Sequence, residues 1–218
     1  DMADIRLRSS MESDLRLALK RGELSLYYQP LIDLVSGRVT GFEALSRWDH
    51  PVLGPVSPTQ FIPIAEESGL IVPLGRWVLG EALRTICEWD RRSDGLPYHI
   101  AVNMSAVQLS RDDIVDMVKG AIDTAGIKGD RLTIELTESA FISDPENARS
   151  MLDQLKALHV NIAMDDFGTG YSNFGHLQQL PIDVLKIDRS FISDMMRDGD
   201  KRAIVKTLLS LARALNIQ

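Results

Sequence analysis

The hydrophobic and polar positions of the first fifty residues set out two kinds of element. Residues 10–22 carry an apolar stripe of Leu15, Ala18 and Leu19, with Glu12 and Asp14 early and Lys20 and Arg21 late. That spacing predicts a helix with Ser10 as its N-cap and Gly22 as its stop. Residues 1–13 are expected to be a linker or tag remnant leading into this helix. Residues 24–34 and 39–48 are apolar and aromatic runs joined through Ser36-Gly37. Two runs joined by so short a turn predict an antiparallel pair.

Beyond residue 58 the period changes. A helical stretch over residues 59–92, interrupted near Gly69 and Pro73, leads to a strand at 99–104. Then follow a helix (112–125), a strand (132–136), a helix (145–158), a strand (160–164), a short helix, a strand (184–188) and a helix (201–215). Alternating strands and helices predict a parallel sheet covered by helices. No linker interrupts the series, so residues 14–218 read as one domain. Ala214-Leu215-Asn216-Ile217 leaves its helix as Ala157-Leu158-His159-Val160 does, at the point where another strand would begin. Six strands against the roughly eight of a closed (β/α) barrel leave an incomplete barrel or an open α/β sheet. Ile204, Leu208, Leu211 and Leu215 repeat at helical spacing as an expected buried stripe.

Composition narrows the class. The chain has 218 residues with 44% hydrophobic and 25% charged, average for a folded domain. Its formal net charge of -7 offers no broad footprint for duplex nucleic acid or an anionic membrane surface. One cysteine, Cys87, fits a reducing compartment, and no apolar run reaches a bilayer-spanning length. A cytoplasmic protein without membrane contact by this domain is expected.

Polar residues cluster at the ends of the predicted strands, where parallel α/β folds place their working groups. They are Glu43, Asn103, Glu135, the pair Asp165 and Asp166, and Lys186 with Asp188. Period two puts Glu43 and Arg47 on one strand face, and Lys186 and Asp188 on another. Singly, each acid reads more readily as a solvated strand end or a structural ion-pair partner than as a site residue; the series points to a site. Converging carboxylates repel unless protonated or bridged by cations, and all-oxygen ligands select Mg²⁺ or Mn²⁺ over zinc. Two such ions suit phosphodiester hydrolysis, with Lys186 orienting the water and Arg47 holding a phosphate oxygen. Glu138, three residues after Glu135, is expected to brace or cap. The stretch from Asp166 to Ser172 reads as a turn or as a partner-responsive loop, with Gly168 and Gly170 suited to positive φ. The histidines His50, His99, His159 and His176 lack ligand spacing, and Trp48, Trp77 and Trp89 read as packing residues.

The ordered series Tyr28-Gln29-Pro30, Glu43-Ala44-Leu45 with Arg47, Asn103-Met104-Ser105, Glu135-Leu136-Thr137-Glu138, Asp165-Asp166-Phe167-Gly168-Thr169-Gly170-Tyr171-Ser172 and Lys186-Ile187-Asp188 strongly resembles the EAL-domain phosphodiesterases of bacterial signalling. The resemblance covers nearly the whole chain. It implies a TIM-like (β/α) barrel with an antiparallel first strand, incomplete at its C-terminus here, and hydrolysis of cyclic di-GMP to linear pGpG. It further implies metal ligation by Glu43, Asn103, Glu135, Asp165 and Asp166, with catalysis by Glu43, Asp165, Asp166 and Lys186. Gln29, Leu45, Arg47 and Asp188 would meet the dinucleotide, and Glu138 would brace the loop 166–172, which couples to dimerisation. The cofactors implied are two Mg²⁺ or Mn²⁺ ions, with inhibition by Ca²⁺. The partners implied are cyclic di-GMP, a second copy in a homodimer, and an upstream sensory or diguanylate-cyclase-like domain. Family members continue into a strand carrying a further glutamate, and later a glutamine, with no counterpart before Gln218. The alternatives are a non-catalytic cyclic di-GMP receptor and a two-metal hydrolase of another phosphodiester.

Overall fold

A computed structural model describes residues 2–92, 97–111, 113–141, 145–168 and 180–218, with side chains from residue 8. The chain divides into two compact units, Asp1–Ile127 and Lys128–Gln218.

The first unit opens with helix α1 (Met2–Arg21). It starts well before the expected cap: the Ser10 hydroxyl turns to Asp14 at 3.4 Å and the Ser13 hydroxyl donates to the Ser9 carbonyl at 3.2 Å, helix-interior contacts one turn apart. The helix persists because Met11, Leu15 and Ala18 are buried and Arg8 meets Glu67 at 3.2 Å. Strands β1 (Leu24–Ile32) and β2 (Val39–His50) form the expected antiparallel pair. A three-residue strand β3 (Gly54–Val56) that sequence periodicity did not reveal pairs antiparallel with the end of β2. Three residues around Pro55 are too few to show alternation.

The long helical stretch is two helices, α2 (Pro58–Glu67) and α3 (Ile71–Arg92). Ser57 and Gln60 form a capping box at the start of α2, and the break falls at Gly69, whose φ is +74°. Pro73 does not interrupt α3, because it occupies the first turn, where a missing N–H costs nothing. Strand β4 (His99–Asn103) runs parallel to β2. The unit closes with α4 (Ala106–Leu109), held by a Ser105–Gln108 capping box, and α5 (Ile114–Ala125), ended by Gly126. Tyr28 and Phe42 pack edge-on to Trp89 of α3, and the Tyr28 hydroxyl bonds Thr85 at 2.9 Å. The even-numbered face of the β1/β2 pair is therefore the helix-covered one.

The second unit has parallel strands in the order β5 (Leu132–Thr137), β6 (Asn161–Phe167) and β7 (Val184–Ile187). Its helices are α6 (Pro145–Ala157), α7 (Arg189–Ile192) and α8 (Gly199–Ala214). Ile134, Leu136, Ile162 and Met164 are buried on the sheet's helix-facing side. The buried stripe of α8 is Val205, Leu208 and Ala212, while Ile204 is 41% exposed, so the helix is rotated from the expected stripe. The comparison between the two helix ends holds in detail. His159 and Asn216 both adopt positive φ, at 62° and 54°. Gln218 then donates to the Asp183 carbonyl and accepts from Leu185, each at 2.9 Å, the bonding of a parallel strand on β7. The expected short helix after β6 falls largely on residues 169–179, outside the described residues.

Candidate functional site

In the first unit the register assembles one polar face. Residues directly opposite in an antiparallel pair share a face, and β1/β2 sets Gln29 across from Glu43, Tyr27 across from Leu45 and Ser25 across from Arg47. Strand β4 continues it: Ala101 pairs with Glu43, and two residues on, the Asn103 amide donates to Glu43 Oε1 at 2.8 Å. Glu43, Leu45, Arg47, Gln29 and Asn103 therefore lie together on the face opposite α3, and Glu43 sits in mid-strand rather than at a strand end. Arg47 is held twice. Its Nη1 donates to the Ser46 carbonyl at 2.8 Å, and its guanidinium lies 5.2 Å from the centroid of the Tyr27 ring.

In the second unit Glu135, Thr137 and Asp165 share the corresponding face, because β5/β6 pairs Glu135 with Ala163 and Thr137 with Asp165. Glu135 is a buried carboxylate, 3% exposed. A buried charge needs a partner, and Lys186 of β7 supplies it, donating to Glu135 and lying 3.2 Å from Asp165. Glu135 and Asp165 present oxygens within 4.8 Å of one another. Two carboxylates on one ammonium leave a net negative charge.

The β6/β7 register shifts between Met164 and Phe167. There Asp166 takes φ 54° and its N–H donates to Asp165 Oδ1 at 3.0 Å. Aspartate tolerates this left-handed conformation better than most residues, so the irregularity turns Asp166 to solvent beside Asp165. Gly168 has φ +95°, a conformation that favours glycine, and a Cβ there would press on the Phe191 ring at 3.1 Å. The remainder of the motif ending at Ser172, and His176, lie outside the described residues.

Asp188 lies one residue past β7 as the N-cap of α7, not in the strand as the periodicity predicted. Its Oδ1 accepts from the Ser190 N–H at 2.9 Å, and the Ser190 hydrogen bonds hold the carboxyl below its usual range. Glu138 lies past the end of β5, opening a single turn of 3₁₀ helix (Glu138–Phe141). His50 has a structural role: its Nδ1 accepts from the N–H groups of Val52 and Leu53 at 3.1 and 3.0 Å, and its Nε2 faces Asp14 at 3.3 Å. Trp48 is buried against His50 and Phe61. Sequence reasoning missed Tyr27, whose link to Arg47 depends on strand register.

The donors on both faces are carboxylate and amide oxygens without thiol or imidazole, a set suited to hard divalent cations. Lys186 bridging Glu135 and Asp165 shows that this carboxylate pair requires positive charge, which is the fit a metal ion would meet. Among the described residues no helix is long and apolar enough to cross a membrane.

The description "EAL domain" matches residues 12–218. MucR of Pseudomonas aeruginosa, a bifunctional diguanylate cyclase/cyclic di-GMP phosphodiesterase, is 44% identical over 207 residues, covering 94% of this chain and 30% of MucR. The cyclic di-GMP phosphodiesterase PdeR of Escherichia coli is 39% identical over 208 residues, covering 95% of this chain and 31% of PdeR. A solved structure of the PaMucR phosphodiesterase with cyclic di-GMP superposes with a TM-score of 0.89 at 43% identity, covering 95% of this chain and 84% of that one. The chain spans 25–31% of the length of these and other curated relatives. The antiparallel first pair, the parallel strands that follow and this superposition agree with the TIM-like fold expected from the motifs. The chain belongs to the EAL domain family.

Proposed function

We propose that this domain hydrolyses cyclic di-GMP to linear pGpG with two divalent ions, Mg²⁺ or Mn²⁺, as cofactors. The observation that carries the reading is the buried Glu135 carboxylate, which shares Lys186 with Asp165. The relatives named as cyclic di-GMP phosphodiesterases support the choice of substrate.

Glu43, Asn103, Glu135 and Asp165 would hold the metal, with Asp166 shared with the second ion. Bound there, such ions would neutralise phosphate charge and lower the pKa of water. The chain's residues do the rest. Lys186 directs its Nζ protons at the attacking water and keeps the carboxylate cluster compact. Glu43, fixed by the Asn103 amide, orients its carboxylate without being fully desolvated. Arg47 and Gln29 grip the phosphates, Leu45 packs against the ligand, and Asp188 contacts the dinucleotide from its capped position. Water adds to phosphorus as the P–O3′ bond breaks; the proton the water gives up is released to solvent, and the leaving 3′ oxygen takes one from solvent. Glu138 would brace the loop that starts at Asp166 and couple it to a homodimer. An upstream sensory or diguanylate-cyclase-like domain and a cytoplasmic setting complete the reading.

Incubation with cyclic di-GMP and Mg²⁺ followed by chromatography is expected to yield pGpG. Ca²⁺, larger and looser in geometry, is expected to permit binding with poor turnover. Tight binding with no linear product, unchanged by Glu43→Ala, would identify a receptor instead.

A further inference from the structure

Tyr27, on β1 at the edge of the sheet, is 60% exposed. Its neighbour Tyr28, on the helix-facing side, packs against Trp89. Tyr27 lies on the opposite face, the one that carries Gln29, Glu43 and Arg47. Across the pair, Arg47 stands opposite Ser25, so Tyr27 is its diagonal neighbour, a separation that long and aromatic side chains reach. The guanidinium is 5.2 Å from the ring centroid, inside the range of a cation–π contact. Ser25 is too small to compete for that space, and its buried Oγ has no hydrogen-bond partner among the described residues.

We infer that Tyr27 is a positioning residue for substrate: its ring and the Ser46 carbonyl fix the Arg47 guanidinium so that its remaining donors meet a phosphate of the dinucleotide. This rests on the phosphodiesterase reading above. An arginine free to swing loses side-chain entropy each time it binds phosphate, and a guanidinium already laid on a ring has lost most of it. The contact is made in the free domain and kept in the bound one, so it acts on binding rather than on the chemical step.

The test compares wild type, Tyr27→Phe, Tyr27→Leu, Arg47→Ala and the Arg47→Ala/Tyr27→Leu double variant. Affinity for cyclic di-GMP is measured calorimetrically with Ca²⁺, and KM and kcat with Mg²⁺. Phenylalanine keeps the π face and is expected within about twofold of wild type. Leucine keeps the apolar bulk only, and is expected to raise Kd and KM by about 3- to 10-fold while kcat holds within about twofold. In the Arg47→Ala background the leucine substitution is expected to add nothing. A leucine variant equal to wild type, or a leucine effect that persists without Arg47, overturns the inference while cyclic di-GMP turnover by wild type leaves the parent reading standing. Wild type that neither binds nor cleaves cyclic di-GMP overturns both.

Discussion

The two units hold their candidate site residues by opposite means. In the first, Glu43 and Asn103 share one hydrogen bond at 2.8 Å, Asn103 is exposed, and Arg47 rests on a solvent-facing tyrosine. In the second, Glu135 is buried and bound to Lys186, which also meets Asp165 at 3.2 Å. The first arrangement orients charge at little cost to the fold, because water still screens it. The second commits the fold to the charge: once Glu135 is out of water, its partner is a condition of stability. One unit therefore supplies adjustable contacts and the other a fixed electrostatic anchor.

The strongest way to break this contrast is Lys186→Met. It removes the ammonium that Glu135 and Asp165 share. Because Lys186 is itself 25% exposed, the expected cost is near the low end for a broken buried pair, about 3 kcal/mol. Thermal unfolding should fall by roughly 6–12 °C, and Mn²⁺ should raise the variant's melting temperature more than the wild type's. Phosphodiesterase activity should be lost as well. A variant that melts like wild type, with or without Mn²⁺, would mean that Glu135 is not anchored as described.

Glu43→Gln probes the other side. The amide oxygen still accepts from Asn103, so the melting temperature should stay within about 2 °C. Turnover of cyclic di-GMP should nonetheless drop by about 10²- to 10³-fold, the usual loss when one preorganised charged group is removed. A melting shift as large as that of Lys186→Met would erase the distinction between the units.

Both arrangements were partly legible in the chain. Period two placed Glu43 with Arg47, and set Glu138 off from Glu135, because alternation is a local property of extended backbone. The α2 boundary at Gly69 was visible for the same kind of reason. What local pattern lacks is register. The Tyr27–Arg47 contact is a diagonal between two strands, and the turn of Asp166 toward solvent depends on a shift between β6 and β7. Helix rotation is similarly open. In α8 the expected stripe and the observed Val205, Leu208, Ala212 stripe share Leu208 and differ by the neighbouring row, and only the sheet beneath selects between them. The start of α1 at Met2 rather than near Ser10 depends on Met11 and Leu15 finding a covered surface, which no cap residue announces.

The smallest expected effect concerns two exposed aspartates that do the same local work in different units. Asp33 accepts from the Ser36 N–H at 2.7 Å and from its hydroxyl at 2.6 Å, and Asp188 accepts from the Ser190 N–H at 2.9 Å. These bonds hold both carboxyls below the ordinary 3.8. The folded chain thus favours the charged forms. Their contribution is present above the unfolded value and disappears as pH falls through the lower folded values, from about pH 4 downward. Asparagine makes the same turn and cap bonds without titrating. Asp33→Asn and Asp188→Asn should therefore match wild type in denaturant midpoint near neutrality, and each should lose less stability than wild type as the acid limb is crossed. Calorimetry with cyclic di-GMP separates the pair: Asp188→Asn should weaken binding and Asp33→Asn should not. Equal affinities would reduce Asp188 to a helix cap and leave the second unit's ligand contacts to Glu135, Asp165, Asp166 and Lys186.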